Sequence, residues 1–200
     1  MTGKGSLVVG LAGKVASGKD TLLPAFVRRG FAVFDADQLG HEALEAPEVA
    51  RAVRARFGTA DRKELGGQMF GHPEALAALE ALIHPWVTST LLDRLERLGG
   101  QPAVVHAALL AKAGLEAVLD VVIWVKAPLW TRLRRARQRD RRPWSFLLKR
   151  VWAQRKLGPQ DFGAGVDIHS VENPARPEQA LATMDELLGR LIQVFPERKP

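Results

Sequence analysis

Five short apolar runs, most of them rich in β-branched residues, alternate along the chain with longer stretches of mixed apolar and polar residues. Short runs of this kind between turn residues are typical of buried strands. They predict strands over residues 6–11, 31–34, 103–107, 121–125 and 166–171. Because helical stretches separate the strands, the pattern predicts an α/β fold with a mostly parallel sheet. In such folds ligands gather at the carboxyl ends of the strands.

The stretches between the predicted strands have the composition of helices. Residues 38–100 are rich in Ala, Leu, Glu and Arg and are expected to form a helical insertion. Pro24 lies inside a helix expected over residues 19–29 and should bend it. Breaks in the insertion are expected near Pro47, Gly58, Gly66 and Pro85. Further helices are expected from Pro128 onward, over residues 144–156, and over residues 181–192, which show a period of 3.6.

The composition favours a single globular domain spanning residues 1–200, because 46% of the residues are hydrophobic. The chain has no cysteine, which excludes disulfides, zinc–thiolate sites, iron–sulfur clusters and thiol catalysis. It also lacks an apolar run of about 18 residues and a signal-peptide pattern. We therefore expect no membrane span and a cytoplasmic location. These features leave the oligomeric state undetermined.

The positive charge is concentrated in one segment. The whole chain carries a net charge of +7, but residues 132–156, here called the basic segment, contain eleven basic residues and one acidic residue, a net charge of +10. A solvated helix face is the ordinary explanation for a charge run. Eleven cations beside one anion repel each other, however, so the segment favours phosphate binding. Arg135 and residues 139–142 are expected to form a lid over a phosphoryl group.

A glycine-rich segment follows the first predicted strand. Residues 13–19, Gly-Lys-Val-Ala-Ser-Gly-Lys, fit the phosphate-loop pattern G-x-x-x-x-G-K. In such a loop, backbone N–H groups and a helix N-terminus face a phosphate chain, and the lysine reaches the β- and γ-phosphates. A glycine-rich turn that binds nothing is the less favoured alternative. The nucleotide-binding residues predicted here are Gly13, Ala16, Ser17, Gly18, Lys19, Asp20 and Thr21.

The residue after the lysine departs from the phosphate-loop pattern. The motif has Ser or Thr there, whose hydroxyl binds Mg²⁺, whereas this chain has Asp20 followed by Thr21. Since a carboxylate is also a hard oxygen ligand, Asp20 and Thr21 are predicted to hold Mg²⁺ directly or through water. The same carboxylate is expected to weaken nucleotide binding when the metal is absent.

Two carboxylates, Asp35 and Asp37, end the second predicted strand. One interpretation is that Asp37 caps the helix that begins at Gln38. Another is that one of the two accepts the proton of a substrate hydroxyl, or orients that hydroxyl toward the γ-phosphate of a nucleotide. The two interpretations do not exclude each other, and both stay open on the sequence.

Several segments, in order along nearly the whole chain, resemble the dephospho-coenzyme A kinases, a branch of the P-loop nucleoside-monophosphate-kinase-like fold. The phosphate loop and Phe34-Asp35-Ala36-Asp37 come first. The later segments are Phe57-Gly58, Asp61-Arg62-Lys63-Glu64-Leu65 with Phe70, residues 79–85 ending in His84-Pro85, Arg135 with Arg139-Asp140, Arg150 with Gln154, and Val171-Glu172-Asn173.

The resemblance implies a three-layer P-loop kinase fold with a parallel five-stranded sheet, an acceptor-binding helical insertion over residues 38–100 and an arginine-rich lid over about residues 139–156. It implies transfer of the γ-phosphate of ATP to the ribose 3′-hydroxyl of dephospho-CoA, the last step of coenzyme A synthesis, with Mg²⁺ as cofactor. Asp37 would be the base or the group that orients the hydroxyl. Lys19 and Arg139 would stabilise charge on the phosphoryl oxygens.

The resemblance also implies roles outside the phosphate loop. Asp35, Arg62 and His84 would shape the acceptor pocket, although His84 could equally be a structural histidine. Arg142 would contact ATP. Asn173 would border the adenine, or would simply be a loop residue before a proline.

The chain departs from the family after the third strand, where Ala108-Leu109-Leu110-Ala111-Lys112 replaces Pro-Leu-Leu-x-Glu and His106 replaces an acid. Asp20 would compensate for the missing carboxylate. Two other functions stay open: a kinase for another small molecule or nucleotide on the same scaffold, and a nucleotide- or RNA-binding protein that has lost catalysis. Nucleic acid is disfavoured, because the basic segment shows no RNA-binding motif.

Overall fold

Five parallel strands form the centre of the protein in a computed structural model, which describes residues 7–69, 71–163, 165–174 and 177–198. The order across the sheet is β2-β3-β1-β4-β5. The predicted parallel five-stranded sheet is confirmed, with ends shifted by one or two residues. Phe70, quoted for the family resemblance, lies outside the described residues. The strands are β1 (Val8–Gly13), β2 (Ala32–Asp35), β3 (Ala103–His106), β4 (Val121–Lys126) and β5 (Asp167–Glu172).

Helices cover both faces of the sheet, so the fold has three layers. On one face, α1 (Leu23–Arg28) and α8 (Pro177–Arg198) bury Phe26 and Met184 against strand residues such as Ile123. The other face packs against helices that lie between β2 and β3. Those helices are α2 (Ala36–Glu45), α3 (Pro47–Phe57), α4 (Arg62–Met69) and α5 (Pro73–Glu96). The predicted helical insertion is therefore present, beginning at Ala36 rather than at residue 38.

The bend expected at Pro24 does not occur. A 3₁₀ turn, Lys19–Leu22, follows the phosphate loop, and α1 begins only at Leu23. Pro24 thus stands in the first turn of α1. A missing backbone N–H carries no penalty there, because the first N–H groups of a helix have no partner within the helix.

The carboxylate that caps α2 is Asp35, so the interpretation of Asp37 as the cap is wrong. The Oδ1 atom of Asp35 accepts the backbone N–H of Asp37 at 2.9 Å and that of Gln38 at 3.2 Å. The helix begins at Ala36, which places Asp35 at the end of β2 in the capping position. The side chain of Asp37 is consequently available for other contacts.

Two of the predicted helix breaks are absent. Gly66 lies within α4, and Pro85 lies within the 24-residue α5. Leu79 precedes Pro85 in α5 and Leu91 follows it, and both are buried in the same core cluster, so packing holds the two halves together despite the proline. Within the described residues, α5 is long and apolar enough to cross a membrane by length and composition alone. A single helix of this kind is weak evidence for a membrane span, because other helices meet the same test.

Candidate nucleotide-binding site

The phosphate loop connects the end of β1 to the 3₁₀ turn at Lys19. A Cβ atom at Gly13 would lie 2.5 Å from the Oγ atom of Ser17 and 2.7 Å from the backbone oxygen of Val125. Gly18 has a φ of 82°, and a Cβ atom there would lie 2.6 Å from the Nδ2 atom of Asn173. Both positions therefore require glycine, which explains the motif's spacing in this chain.

The loop lines a cavity of about 510 Å³, within the size range of small-molecule sites. All of the predicted loop residues, 13 and 16–21, border this cavity. Its other walls come from Ala108 after β3 and from the basic segment, which forms α6 (Leu129–Asp140) and α7 (Trp144–Ala153). The basic segment contributes five residues to the wall: Arg135, Gln138, Arg139, Arg150 and Gln154.

Lys19 and Asp20 form an ion pair inside this cavity. The Nζ atom of Lys19 lies 3.0 Å from the Oδ1 atom of Asp20, and the side chains are 17% and 60% exposed. The neighbouring Thr21 hydroxyl donates to the backbone oxygen of Gly18 at 2.7 Å. An accessible carboxylate and a hydroxyl oxygen therefore stand beside the lysine of the loop.

Asp37 is hydrogen-bonded to a residue that lines the same cavity, although it is not itself among the described lining residues. Its Oδ2 atom accepts the backbone N–H of Ala108 at 2.8 Å, and Ala108 borders the cavity. The side chain remains exposed. The structure thus brings the predicted proton acceptor and the phosphate loop to one edge of the sheet. His106, the residue in place of the family's acid, is paired with Asp35 in the β2–β3 register.

Two arginines of α6 donate hydrogen bonds to backbone oxygens of the phosphate loop. Arg132 donates through Nε to the backbone oxygen of Val15 at 2.9 Å. Arg135 donates to the backbone oxygens of Ser17 and Asn173 at 3.0 and 3.1 Å. Burial lowers the pKa of both guanidinium groups. Arg135 also borders the loop cavity, and the role of closing over a phosphoryl group stays a prediction.

A second pair of arginines meets at Asp140. The carboxylate accepts Nε of Arg139 at 2.6 Å and Nη1 of Arg150 at 3.0 Å. The hydrogen bond from Arg139, helped by the positive charges around it, lowers the pKa of Asp140, and the same bond raises the pKa of Arg139. Asp140 therefore holds two cations of the basic segment side by side at the cavity wall.

Arg142 is not among the described residues that border the loop cavity, and its contact with ATP stays a prediction. Its guanidinium lies 5.7 Å from the ring centre of Phe146, a cation–π arrangement. Arg142 follows the end of α6 and the left-handed residue Arg141, whose φ is 51°. This turn directs the chain into α7 and leaves Arg142 on the aromatic ring.

The end of α7 is attached to the phosphate loop. The backbone N–H of Val15 donates to the Oε1 atom of Gln154 at 2.6 Å, and Nζ of Lys14 donates to the backbone oxygen of Arg155 at 3.0 Å. No role was predicted for Gln154, although it was part of the family resemblance. Its position four residues after Arg150 places both on one face of the chain near the helix end, which is the signal that could have identified it.

Asn173 supports the loop from behind. Its Nδ2 atom donates to the backbone oxygens of Ser17 and Gly18, both at 3.1 Å, and its Oδ1 atom accepts Nη2 of Arg135 at 3.2 Å. Its side chain has no exposed surface. In this structure it therefore orients the loop, whereas the predicted role was to border the adenine.

We expect Asn173→Ala to lower the free energy of unfolding by about 1–3 kcal/mol, because buried carbonyls and a guanidinium lose their partner. Urea denaturation monitored by tryptophan fluorescence measures this loss. Glu172→Ala is the control, because Glu172 is the exposed strand residue next to Asn173. It should change the free energy of unfolding by less than about 0.5 kcal/mol. Equal stabilities of the two variants would contradict the supporting role.

Two of the residues predicted to bind the acceptor, Arg62 and His84, lie outside the lining of the loop cavity. Arg62 is exposed at the first position of α4. His84 is half-buried on α5 and faces Gly114, where a Cβ atom would lie 3.0 Å from its Nδ1 atom. Neither is among the described residues that border the loop cavity. The described residues also contain no cluster of three or more His, Asp or Glu side chains that could hold a metal by themselves.

The fold and the loop cavity define the class of protein. A solved shikimate kinase from Acinetobacter baumannii has the same fold, with a TM-score of 0.56 over 94% of both chains at 11% identity. The parallel sheet and the phosphate loop at the end of its first strand are those of the P-loop kinase fold.

The particular family follows from closer relatives. The family model described as dephospho-CoA kinase matches residues 7–158. The dephospho-CoA kinase of Anaeromyxobacter dehalogenans is 36% identical over 196 residues, which cover 92% of each chain. A crystal structure of a Thermus thermophilus protein is 29% identical and has a TM-score of 0.74 over 94% of this chain and 99% of that one. The chain belongs to the dephospho-CoA kinase family, so it is a kinase that uses ATP as the phosphate donor.

Proposed function

We propose that this protein transfers the γ-phosphate of ATP to the ribose 3′-hydroxyl of dephospho-CoA. The observation that carries the proposal is the position of Asp37, whose carboxylate is held by the Ala108 N–H at the rim of the phosphate-loop cavity. A hydroxyl placed between this carboxylate and a nucleotide in the loop would have a proton acceptor on one side and the γ-phosphorus on the other.

In the proposed reaction, the 3′-oxygen forms a bond to the γ-phosphorus while the bond between this phosphorus and the β–γ bridging oxygen breaks, and ADP leaves. The hydroxyl proton passes to Asp37. Lys19 and Arg139 stabilise negative charge on the transferring group and on the leaving phosphate. Because Arg139 is paired with Asp140, its guanidinium is already oriented at the cavity wall before it contacts the phosphoryl group.

The residues beside Lys19 fit a magnesium ion. Mg²⁺ is usually held by one or two carboxylates together with substrate phosphates and water, so the exposed Asp20 carboxylate and the Thr21 hydroxyl suffice for the protein's share. We propose that Asp20 is the principal protein ligand. When bound, the ion would supply positive charge that offsets the negative charge of the nucleotide phosphates.

We expect Asp20→Ser to reduce the dependence of nucleotide binding on Mg²⁺. The variant exchanges a charged carboxylate ligand for a neutral hydroxyl, which reduces the gain in affinity from Mg²⁺, and it loses a negative charge beside the triphosphate, which strengthens binding in EDTA. Calorimetric titration of a non-hydrolysable ATP analogue with Mg²⁺ or EDTA measures the ratio of the two dissociation constants. Asp93→Ser, at an exposed position of α5, is the control. An unchanged ratio for Asp20→Ser would remove Asp20 from the metal site.

The helical insertion is proposed to hold dephospho-CoA, with Asp35, Arg62 and His84 as binding residues. Asp35 has a second function in this arrangement, since it also caps α2. The cytoplasm, where ATP is supplied, is the proposed compartment.

The substrate assignment is tested by incubating the protein with ATP, Mg²⁺ and one acceptor at a time: dephospho-CoA, AMP, CMP or shikimate. We expect rapid formation of ADP only with dephospho-CoA, and a product that carries the new phosphate on the 3′-oxygen. Rapid ADP formation with another acceptor instead would assign the chain a different substrate on the same scaffold.

A further inference from the structure

A second cavity, of about 460 Å³, lies at the end of β4, next to Lys14 of the phosphate loop. We call it the basic cleft, because five cationic side chains line it beside Trp124: Lys14, Lys126, Arg132, Arg155 and Lys156. These cations come from the loop, from the end of β4, from α6 and from the segment after α7. Lys14 borders both cavities. The described residues that line the basic cleft include no Asp or Glu.

Arg132 is the most deeply buried of these cations, with 7% of its surface exposed. Its Nε atom donates to the backbone oxygen of Val15, but its Nη2 atom is enclosed and has no hydrogen-bond partner among the described residues. A buried guanidinium nitrogen without an acceptor is costly, and such groups in native proteins normally have a partner. Arg132 is therefore a buried cation at the cleft wall whose hydrogen-bonding capacity the described part of the protein does not fully use.

The cations of the cleft also act on one another. Burial, followed by the positive charge of Arg132, lowers the pKa of Lys14, and only Asp161 acts in the opposite direction. The Oδ2 atom of Asp161 accepts the backbone N–H of Gly158 at 2.8 Å. Lys14 itself donates to the backbone oxygen of Arg155. The nearby carboxylates include Asp161 and Glu172, which is paired with Lys126 in the β4–β5 register. The five cations still outnumber them and repel each other, and a bound anion would relieve this repulsion.

We propose that the basic cleft is a second phosphate-binding site, which takes a diphosphate group. A multiply charged anion matches five cations better than a single phosphate does, and the volume of the cleft accommodates it. The proposal does not depend on the identity of the acceptor. The diphosphate could belong to the acceptor substrate itself or to a separate phosphorylated metabolite.

The site is tested by calorimetric titration of the full-length protein with inorganic pyrophosphate, after the phosphate loop has been saturated with a non-hydrolysable ATP analogue and Mg²⁺. We expect one pyrophosphate to bind per chain. In the double variant Lys126→Ala/Lys156→Ala, which removes two exposed cations of the cleft, the affinity should fall by about tenfold or more.

The matched control is Arg134→Ala/Lys149→Ala, which removes two exposed cations that do not line the basic cleft. It changes the net charge equally and should keep the wild-type affinity. If pyrophosphate does not bind once the loop is saturated, or if both double variants weaken binding equally, the proposal is overturned.

Steady-state kinetics with dephospho-CoA separate the two sources of the diphosphate. If the acceptor fills the cleft, the Lys126→Ala/Lys156→Ala variant raises KM for dephospho-CoA, and pyrophosphate competes with it. If a separate metabolite does, KM is unchanged and pyrophosphate binds alongside the acceptor. Failure of the proposed kinase reaction would appear only in the acceptor assay, because the pyrophosphate titration requires no turnover.

Discussion

Replacement of Lys19 by alanine is expected to lower kcat by on the order of 10²–10³-fold. The ammonium group stands at the start of the 3₁₀ turn, in a side chain that is only 17% exposed, and it borders the cavity proposed for ATP. Charge at such a shielded position acts more strongly on phosphoryl oxygens than charge in open water. The rate of ADP formation at saturating ATP and dephospho-CoA measures the loss.

Lys149→Ala is the control for this prediction, because Lys149 is an exposed lysine of α7 that does not border the loop cavity. Its kcat should stay within about twofold of wild type. A Lys19→Ala enzyme with an unimpaired kcat would show that the loop lysine does not act on the transferring phosphate, and the proposed mechanism would lose its main source of positive charge.

The second large effect is expected from Asp37→Asn, which should lower kcat by on the order of 10²–10⁴-fold. The side-chain oxygen of asparagine can still accept the Ala108 N–H, so the junction between α2 and the segment after β3 is preserved. What the variant loses is a group that can take the proton of the 3′-hydroxyl. KM values for ATP and dephospho-CoA should change far less than kcat, because the shape of the site is retained.

Asp93→Asn makes the same chemical change at an exposed position of α5 and should leave kcat unaltered. Thermal denaturation of both variants verifies that they are folded. Persistent ADP formation by Asp37→Asn at the wild-type rate would remove Asp37 from the reaction, while the family assignment, which does not depend on this residue, would stand.

The basic segment has two functions, and the charge of the segment alone does not show which arginine serves which function. Arg132, Arg135 and Arg139 are spaced by three and four residues, so they share one face of α6. The first two bind carbonyl oxygens of the loop and its support, and the third reaches the cavity wall next to Arg150. The segment thus orients the phosphate loop and lines the proposed phosphate site at the same time. The sequence analysis predicted phosphate binding for the segment as a whole. It did not predict that some of its arginines bind backbone oxygens of the loop.

Sequence patterns predicted correctly those features that depend only on neighbouring residues. The five strands and the phosphate loop could be predicted, because apolar runs and the glycine spacing reflect short-range requirements of the backbone. The predictions at Pro24, Pro85 and the α2 cap were wrong for the opposite reason. Each depends on where a helix begins or on what its face packs against, and a shift of two residues converts Asp37 from a cap into a side chain that reaches Ala108.

The order of motifs along the chain was therefore sufficient to predict the class, the family and the phosphate loop. Tertiary structure decided which polar groups meet across the fold. Asp37 and Ala108 are 71 residues apart, and Asn173 and Ser17 are 156 apart. The support behind the loop and the basic cleft beside it are assembled from strands and helices that are distant in sequence. Such contacts depend on how the layers pack, and no short stretch of sequence encodes that packing.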